Sequence, residues 1–315
     1  MPCLIIPAGS EMSPRQYATL VGLLAVASSN TAGAGVIRHD VADSFYTGLA
    51  AETRYSGVGD ILISSSSGTT RCSGTLIDTS WVLTAAHCLD NPGTYNVTYR
   101  AGGVTYTASQ WIYNNDFNES QLFNGFDIGV IQLNTEVTGV EIANIYTGTD
   151  EFGEVGTSVG FGRSGNGLTG YTTGSGTKRA GNNLIDYYAV DYLLWADFDS
   201  GSVSDNVFGD ASQLALEYLI APGDSGGGTF INIDGTDYLV GVHSFIASVD
   251  GTTNADYGDL QGSTRVSSYL GWIESTTGLT FSATAVPIMA TLPLMLCGLL
   301  PLAWRRTRRR RLEAC

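Results

Sequence analysis

Short apolar or alternating stretches, separated by polar turns, recur through most of the chain. Valine, isoleucine, threonine and aromatic residues dominate them, and these residues favour strands. The predicted strands are residues 60–63, 72–77, 81–84, 95–99, 104–113, 128–133, 155–161, 229–233 and 238–245. Only the segment 265–276 places apolar residues at convincing helical spacing late in the chain. The pattern predicts an antiparallel all-β body closed by a C-terminal helix.

The segment 162–213 breaks this pattern because glycine, serine, threonine, asparagine and aspartate dominate it. We expect surface loops there, around one or two strands within the apolar run 184–195. The spacing of its four aspartates matches no calcium-binding loop and favours a solvated acidic loop. These residues are Asp197, Asp199, Asp205 and Asp210.

Composition supports a globular body rich in turns. The 315 residues are 43% hydrophobic and include 40 glycines. The formal net charge of −15 argues against a nucleic-acid partner, because phosphates require basic surfaces. The basic residues are unevenly placed, since six of the 15 lie between Arg305 and Arg311.

Residues 1–34 have the features of a secretory signal peptide. Arg15 supplies a basic start, the apolar run 17–27 is too short to span a bilayer, and the small residues 32–34 fit a cleavage site. Met12 is a candidate for the true start. A buried N-terminal helix is the alternative interpretation.

A second apolar run, residues 285–304, is 20 residues long, which matches the thickness of a hydrocarbon core. The arginine cluster that follows favours the cytoplasmic side, so the body would lie outside. The stretch Val286–Ala290, the apolar run and the arginines resemble the bacterial PEP-CTERM sorting tail in a Val-Pro-type variant, although the Pro-Glu-Pro triplet is missing. The resemblance implies that residues 285–315 are a transient anchor removed by a sorting protease. A permanent membrane anchor is the alternative.

The five cysteines divide by position. Cys3, Cys297 and Cys315 lie in the terminal segments, which leaves Cys72 and Cys88 in the body. Because export permits disulfides, we predict that these two are joined.

The candidate chemistry centres on Ser225, which lies between glycines and directly follows Asp224. Glycines let backbone N–H groups approach a substrate closely. The N–H groups of Gly223 and Ser225 are therefore candidate donors of an oxyanion hole. The same residues would also suit a simple turn.

Two further residues favour the catalytic interpretation. His87 follows the predicted strand 81–84 and is a candidate general base. Asp127 precedes the buried strand 128–133 and can hold a histidine ring in the useful tautomer.

Together these stretches resemble the chymotrypsin/trypsin-like serine proteases. The resemblance spans about residues 60–277 and rests on the histidine motif 84–88, the aspartate motif 127–133, the serine motif 223–227 and the closing helix. The family implies two six-stranded antiparallel β-barrels with the triad between them. It implies Ser225 as nucleophile, His87 as base and Asp127 as orienting carboxylate, and it requires no cofactor or metal.

The resemblance also locates substrate-binding residues. Leu219, six positions before Ser225, aligns with the pocket base. Relatives selective for lysine or arginine have aspartate there, so we expect a small or apolar P1 residue (the residue whose carbonyl is attacked). His243, Ser244, Phe245 and Ile246 align with the pocket wall. His243 resembles a histidine of glutamyl-specific bacterial relatives, which keeps glutamate as a second preference beside a merely packed histidine.

Activation departs from the family pattern. Family zymogens expose a new amine that pairs with the aspartate before the serine, here Asp224, but no Ile-Val-Gly-Gly-like motif is found before His87. Cleavage after Ala34 would instead expose Gly35. Either that amine reaches Asp224, or another cation does, or no such switch exists.

The sequence thus predicts an exported monomeric serine endopeptidase, residues 35–284, acting on proteins or peptides in the periplasm, at the cell surface or outside the cell. A non-catalytic surface binding module on a protease scaffold is the alternative, and an esterase using the same triad is a third.

Overall fold

The computed structural model describes residues 35–91, 93–186, 191–209 and 213–282. The predicted signal peptide and sorting tail lie outside these ranges. The strands are β1 (Val36–Ile37), β2 (Val58–Ser65), β3 (Gly68–Asp78), β4 (Trp81–Thr84), β5 (Thr94–Ala101), β6 (Val104–Tyr113), β7 (Gly129–Leu133), β8 (Asn144–Ile145), β9 (Val155–Gly160), β10 (Ser164–Asn166), β11 (Gly170–Thr173), β12 (Arg179–Leu184), β13 (Leu193–Asp197), β14 (Tyr218–Leu219), β15 (Gly228–Ile233), β16 (Thr236–Ala247) and β17 (Leu260–Arg265). The α-helices are α1 (Asp43–Ala50), α2 (Ala86–Leu89) and α3 (Leu270–Thr277), and 3-10 helices cover Thr53–Tyr55, Glu119–Asn124 and Val266–Tyr269.

The N-terminal half closes into a six-stranded barrel in the order β2-β3-β4-β7-β6-β5. Its interior is apolar, and Ile61, Leu83 and Ile131 have no exposed surface. Burying such a side chain contributes about 1.5–3 kcal/mol. The buried Tyr99 hydroxyl donates to the carbonyl of Gly57 at 2.6 Å. Its burial therefore avoids the cost of an unpaired polar group.

The C-terminal half is an antiparallel half-barrel in the order β12-β9-β15-β16-β17-β13, with β8 added parallel to β16. Helix α3 follows β17 and buries Ile273 in the same core cluster as the first barrel. The predicted all-β, trypsin-like class with a C-terminal helix is confirmed.

A small four-stranded sheet, β11-β10-β1-β14, holds the segment that begins at Gly35. Val36 pairs with Leu219 on one side and with Gly165 on the other. Helix α1 follows, and its Asp43 accepts two hydrogen bonds from the Arg179 guanidinium. These contacts join the N-terminal segment to strands β10, β12 and β14.

Two expectations for the chain's elements were wrong. Residues 179–184 form strand β12 rather than a loop, because β9 pairs with all six of them and the side chain of Asn183 donates to Asp197 O and Tyr218 O. The predicted helix 265–276 begins later: Arg265 ends β17, a 3-10 turn follows, and α-helix starts at Leu270.

The expected solvated acidic loop was also wrong in part. Asp197 and Asp199 are 1% and 5% exposed. Asp197 lies at the end of β13, and its Oδ2 accepts the backbone N–H groups of Val207 and Phe208. Asp205 is partly buried, and Asp210 lies outside the described residues.

Cys72 and Cys88 form the predicted disulfide, which joins β3 to α2. Of the helices in the described ranges, none is both long and apolar enough to cross a bilayer.

Replacing both bridged cysteines with serine is expected to lower the free energy of unfolding by about 3 kcal/mol, because the bridge closes a loop of 16 residues. Urea unfolding of the 35–284 fragment measures this. The reduced wild type is the control and should unfold like the double variant. Equal stability of the oxidised wild type and the variant would contradict the prediction.

Candidate active site

Two paired strands of the first barrel bring His87 and Asp127 together. Thr84, the last residue of β4, pairs with Gly129, the first residue of β7, and the two side chains lie just beyond this pair. His87 Nδ1 lies 2.7 Å from Asp127 Oδ2, and the His87 backbone N–H donates to Oδ1 at 2.9 Å. Two contacts to one carboxylate fix the orientation of the histidine.

The Asp127 carboxylate is held from the second half of the molecule. Asp127 is 1% exposed, and the Ser244 hydroxyl donates to its Oδ2 at 2.5 Å. The Thr264 hydroxyl donates to its backbone carbonyl at 2.9 Å. Because an ionised carboxylate only accepts hydrogen bonds, His87 Nδ1 carries the proton. The Nε2 lone pair is then available as a base.

Burial disfavours the charged His87 ring, but the charge of Asp127 and its hydrogen bond outweigh that cost. The pKa of His87 is therefore raised above 6.5. The ring keeps 23% of its side-chain surface exposed, so the base remains reachable from solvent.

A tight turn presents Ser225 between the two halves. Gly226 has φ +80°, and a Cβ there would lie 2.0 Å from the Thr84 hydroxyl, so only glycine fits. The Gly226 N–H donates to His243 O, and the Ser73 N–H donates to Ser225 O, both at 2.8 Å. The turn is thus attached to a strand of each half.

The turn leaves two backbone donors available. Within the described ranges, no hydrogen bond takes the N–H of Gly223 or of Ser225, whereas the Gly223 carbonyl accepts from the Ser73 hydroxyl at 3.0 Å. Ser225 O lies 3.8 Å from Sγ of Cys88, the residue next to His87. Within the described part of the chain, Ser225 Oγ and the His87 ring are not joined by a hydrogen bond.

Asp224 is wholly buried beneath this turn. Its Oδ2 accepts the N–H groups of Gly35 at 2.6 Å and Ala221 at 2.9 Å, and its Oδ1 accepts the N–H of Gly162 at 2.6 Å. Burial raises the pKa of Asp224 to about 6, although these donors work in the opposite direction. A buried carboxylate is costly to ionise when its hydrogen-bond donors are neutral. A positive charge beside Asp224 would therefore stabilise its ionised form.

The residues predicted to line a substrate pocket occupy strand β16 and the end of strand β14. Leu219 has no exposed surface and packs in an apolar cluster with Val36 and Phe198. Ile246 is partly exposed and packs against the same cluster. Phe245 packs on the opposite side, in a separate aromatic cluster. The hydroxyl of Ser244, which is also predicted to bind substrate, donates to Asp127.

His243 is fully buried, and its Nδ1 lies 3.2 Å from Asp224 O. Burial lowers its pKa to about 4, so the ring is neutral near pH 7. No hydrogen-bond partner of its Nε2 is found among the residues described.

Three residues that hold the site were missed at the sequence level. Ser73 supports the Ser225 turn, Thr264 supports Asp127, and Gly162 donates to Asp224. Each is a small residue common in turns and strands, and each becomes functional only through a partner more than 60 positions away along the chain. No local signal in the sequence distinguishes them.

Across the described ranges, only the group Cys72, His87 and Cys88 has the spacing of metal ligands. Because the two cysteines are joined to each other, their sulfurs offer no thiolate to an ion. This grouping does not fit a metal centre.

Known proteins resemble the chain over the same region. A family model described as trypsin matches residues 52–273. Brachyurin from Leptuca pugilator is 32% identical over 219 residues, which cover 66% of this chain and 88% of that protein. Chymotrypsin-like elastase family member 1 from Bos taurus is 28% identical, covering 65% and 77%.

A solved structure titled HL collagenase superposes with a TM-score of 0.55 at 22% identity. The match covers 75% of this chain and 97% of that one, which supports the fold. The family model spans well over half of the sequence and includes the strands that position His87 and Asp127 and the turn that carries Ser225. The chain belongs to the trypsin family of serine proteases.

Proposed function

We propose that this protein is an exported endopeptidase that cleaves peptide bonds through Ser225, His87 and Asp127. The observation that carries the proposal is the pair of contacts from His87 to the buried Asp127 carboxylate, at 2.7 and 2.9 Å. That arrangement fixes the tautomer that a general base requires. The available N–H groups of Gly223 and Ser225 add a candidate oxyanion hole beside it.

The reaction follows from these positions. Ser225 Oγ attacks the scissile carbonyl while its proton passes to His87 Nε2. The oxygen that gains negative charge is stabilised by the two N–H donors, each contributing about 3–4 kcal/mol. His87 then gives the proton to the leaving amine, and a water activated in the same way hydrolyses the acyl-enzyme. We expect the hydrogen bond from Ser225 Oγ to Nε2 to form when substrate binds, since catalytic hydrogen bonds tighten in complexes.

We further propose a small or apolar P1 preference, with glutamate second. The buried Leu219 offers no charge to a basic side chain. The neutral His243 ring favours the packed interpretation over pairing with an anion, because charging it would require a pH near 4. A cleavage profile dominated by arginine or lysine would contradict both preferences.

Export would also supply the cation that Asp224 lacks. Removal of the predicted signal peptide after Ala34 would turn the Gly35 nitrogen, 2.6 Å from Asp224 Oδ2, into a charged amine. Gly35 has φ +32°, and a Cβ there would lie 1.9 Å from the Tyr218 ring, so the position accepts only glycine.

For the C-terminal segment we propose transient anchoring followed by removal at a site near residue 285. Mass spectrometry of the mature exported protein tests this. Recovery of residues 285–315 on that protein would favour the permanent anchor instead.

Activity is expected to increase with pH through an apparent pKa above 6.5. The folded enzyme needs neutral His87, and Asp127 raises the pKa of the ring, so acid removes the base at a higher pH than for a free histidine. Measuring kcat/KM from pH 5 to 9 with a peptide substrate tests the prediction. Asp127→Asn should shift the midpoint downward, and an unchanged midpoint in that variant would contradict the assignment.

A fluorophosphonate probe tests the proposed function directly, because it reacts with activated serines and does not depend on specificity. The wild-type fragment 35–284 should be labelled, and Ser225→Ala should not. Ser267→Ala, which removes a serine far along the chain from the site, is the matched control and should be labelled like the wild type.

No labelling of folded wild type would contradict the proposal and favour the binding module. Labelling with hydrolysis of esters but not of peptides would favour the esterase. Labelling with peptide cleavage would support the endopeptidase.

A further inference from the structure

The Arg179 side chain has two carboxylates in its surroundings, those of Asp43 and Asp224. Asp43, the first residue of α1, accepts hydrogen bonds from Nε at 2.5 Å and from Nη2 at 2.8 Å. The side chain of Asp43 is 49% exposed, whereas that of Arg179 is only 11% exposed. Asp224 is wholly buried and accepts neutral backbone N–H groups. The guanidinium is thus paired with the more exposed of the two carboxylates.

Strand pairing places Arg179 on the face of the sheet that carries Asp224. Arg179, the first residue of β12, lies directly opposite Gly160, the last residue of β9. Side chains of directly opposite residues project from the same face, with their Cβ atoms about 5 Å apart. A Cβ at Gly160 would lie 2.3 Å from Asp224 Oδ1, so the Asp224 carboxylate occupies the space of the missing side chain. The Arg179 side chain therefore begins beside that carboxylate.

The ionisation of both side chains reflects this proximity. Burial is the largest effect on the pKa of Arg179 and lowers it, but Asp43, Tyr218 and Asp224 together raise that pKa above its usual value. Burial raises the pKa of Asp224, and the charge of Arg179 is among the effects that oppose this rise. Among the described residues, no hydrogen-bond partner is found for Nη1, the third nitrogen of the guanidinium. That nitrogen is available to a second carboxylate.

Two cations are therefore candidates to neutralise Asp224. One is the amine that removal of the predicted signal peptide would create at Gly35, 2.6 Å from Asp224 Oδ2. The other is the Arg179 guanidinium, once it is released from Asp43. Paired hydrogen bonds between a guanidinium and a carboxylate are strong and directional. While Asp43 holds Arg179 in this way, the amine is the better placed source of charge.

We propose that Asp43 is a positioning residue that keeps Arg179 from neutralising Asp224, so that activity depends on cleavage before Gly35. The inference rests on the proposed function and adds a regulatory contact to it. Before cleavage, the Gly35 nitrogen is a neutral amide, Arg179 stays with Asp43, and Asp224 has no counter-ion. The uncleaved chain would thus remain inactive until export. A structural role, in which the ion pair only attaches α1 to β12, is the rival outcome.

The experiment uses two fragments that end at residue 284, one beginning at Gly35 and one with an extra serine before it. The measured quantity is the ratio of their kcat/KM values on one peptide substrate, after titration of active sites. The wild-type ratio is expected to be about 10²-fold to 10³-fold, because an unpaired buried charge is strongly unfavourable. Asp43→Asn releases Arg179, so the extended fragment should gain activity and the ratio should fall about 10-fold.

Three further variants test whether this fall comes from Arg179. Adding Arg179→Gln to Asp43→Asn should restore the wild-type ratio, because the second cation is then removed. Asp43→Glu retains the negative charge and should keep most of the ratio. Asp40→Asn is the matched control, since Asp40 pairs with Arg38 on the same N-terminal segment, and it should leave the ratio unchanged.

An unchanged ratio in Asp43→Asn would overturn the proposal. A fall that comes only from lower activity of the Gly35 fragment, or that persists with Arg179→Gln, would overturn it in favour of the structural role. Fluorophosphonate labelling separates the two levels of inference. If the folded wild-type Gly35 fragment is not labelled, the proposed function and this inference fail together. If it is labelled and the extended wild type is equally active, the endopeptidase stands and the role of Asp43 is refuted.

Discussion

Ser225→Ala, His87→Ala and the double variant are each expected to lower kcat by about 10⁶-fold, because residues that act as one unit lose their effect together. Without Ser225 no acyl-enzyme forms, and without His87 nothing accepts the proton of the serine. The double variant should therefore be no slower than either single variant. Turnover of a peptide substrate by the 35–284 fragment, compared at pH 8, measures all three.

Ser267→Ala is the matched control, since its hydroxyl donates to Glu151 and not to a residue of the candidate site. Its expected loss is small beside that of the triad variants. If the loss of kcat in the double variant equals the product of the two single losses, Ser225 and His87 act independently. Substantial turnover by Ser225→Ala would exclude Ser225 as the nucleophile.

Much of the candidate site is predictable because the proposed catalytic residues lie in short contiguous motifs. His87 directly follows a strand, Asp127 directly precedes one, and glycines surround Ser225, so each carries a local signal. The barrel strands were predictable for a similar reason: they alternate or are uniformly apolar over their own length.

The features that the sequence did not predict depend on contacts with residues distant along the chain. Strand β12 has a polar sequence, and it is a strand because β9 pairs with it and buried acceptors take the amide of Asn183. Ser244 was predicted as part of a pocket wall, and its contact with Asp127, beside the bulge between His243 and Phe245, was not predicted. Neither feature can be inferred from residues adjacent in the sequence.

The contact between Gly35 and Asp224 also could not be inferred from residues adjacent in the sequence. It has the clearest consequence for activity. At the sequence level, the Gly35 amine was one of two candidate partners for Asp224, beside another cation, and the third alternative was that no such switch exists. Asp224 receives hydrogen bonds from neutral N–H groups, and the nearby Arg179 guanidinium is paired with Asp43. A charged Gly35 amine would supply the missing counter-ion at 2.6 Å.

A fragment that begins at Gly35 is therefore expected to be about 10²-fold to 10³-fold more active than the same fragment with one extra N-terminal serine, since an unpaired buried charge costs about 3–5 kcal/mol. The extra residue converts the amine into a neutral amide and displaces its charge from Asp224. Active-site titration and kcat/KM on one peptide substrate measure the difference. Asp224→Asn in the Gly35 fragment should cause a similar loss, and extending that variant by serine should cost little more. Equal activity of the Gly35 and extended fragments would show that the turn around Ser225 is held without the amine, because the neutral hydrogen bonds to Asp224 would then suffice.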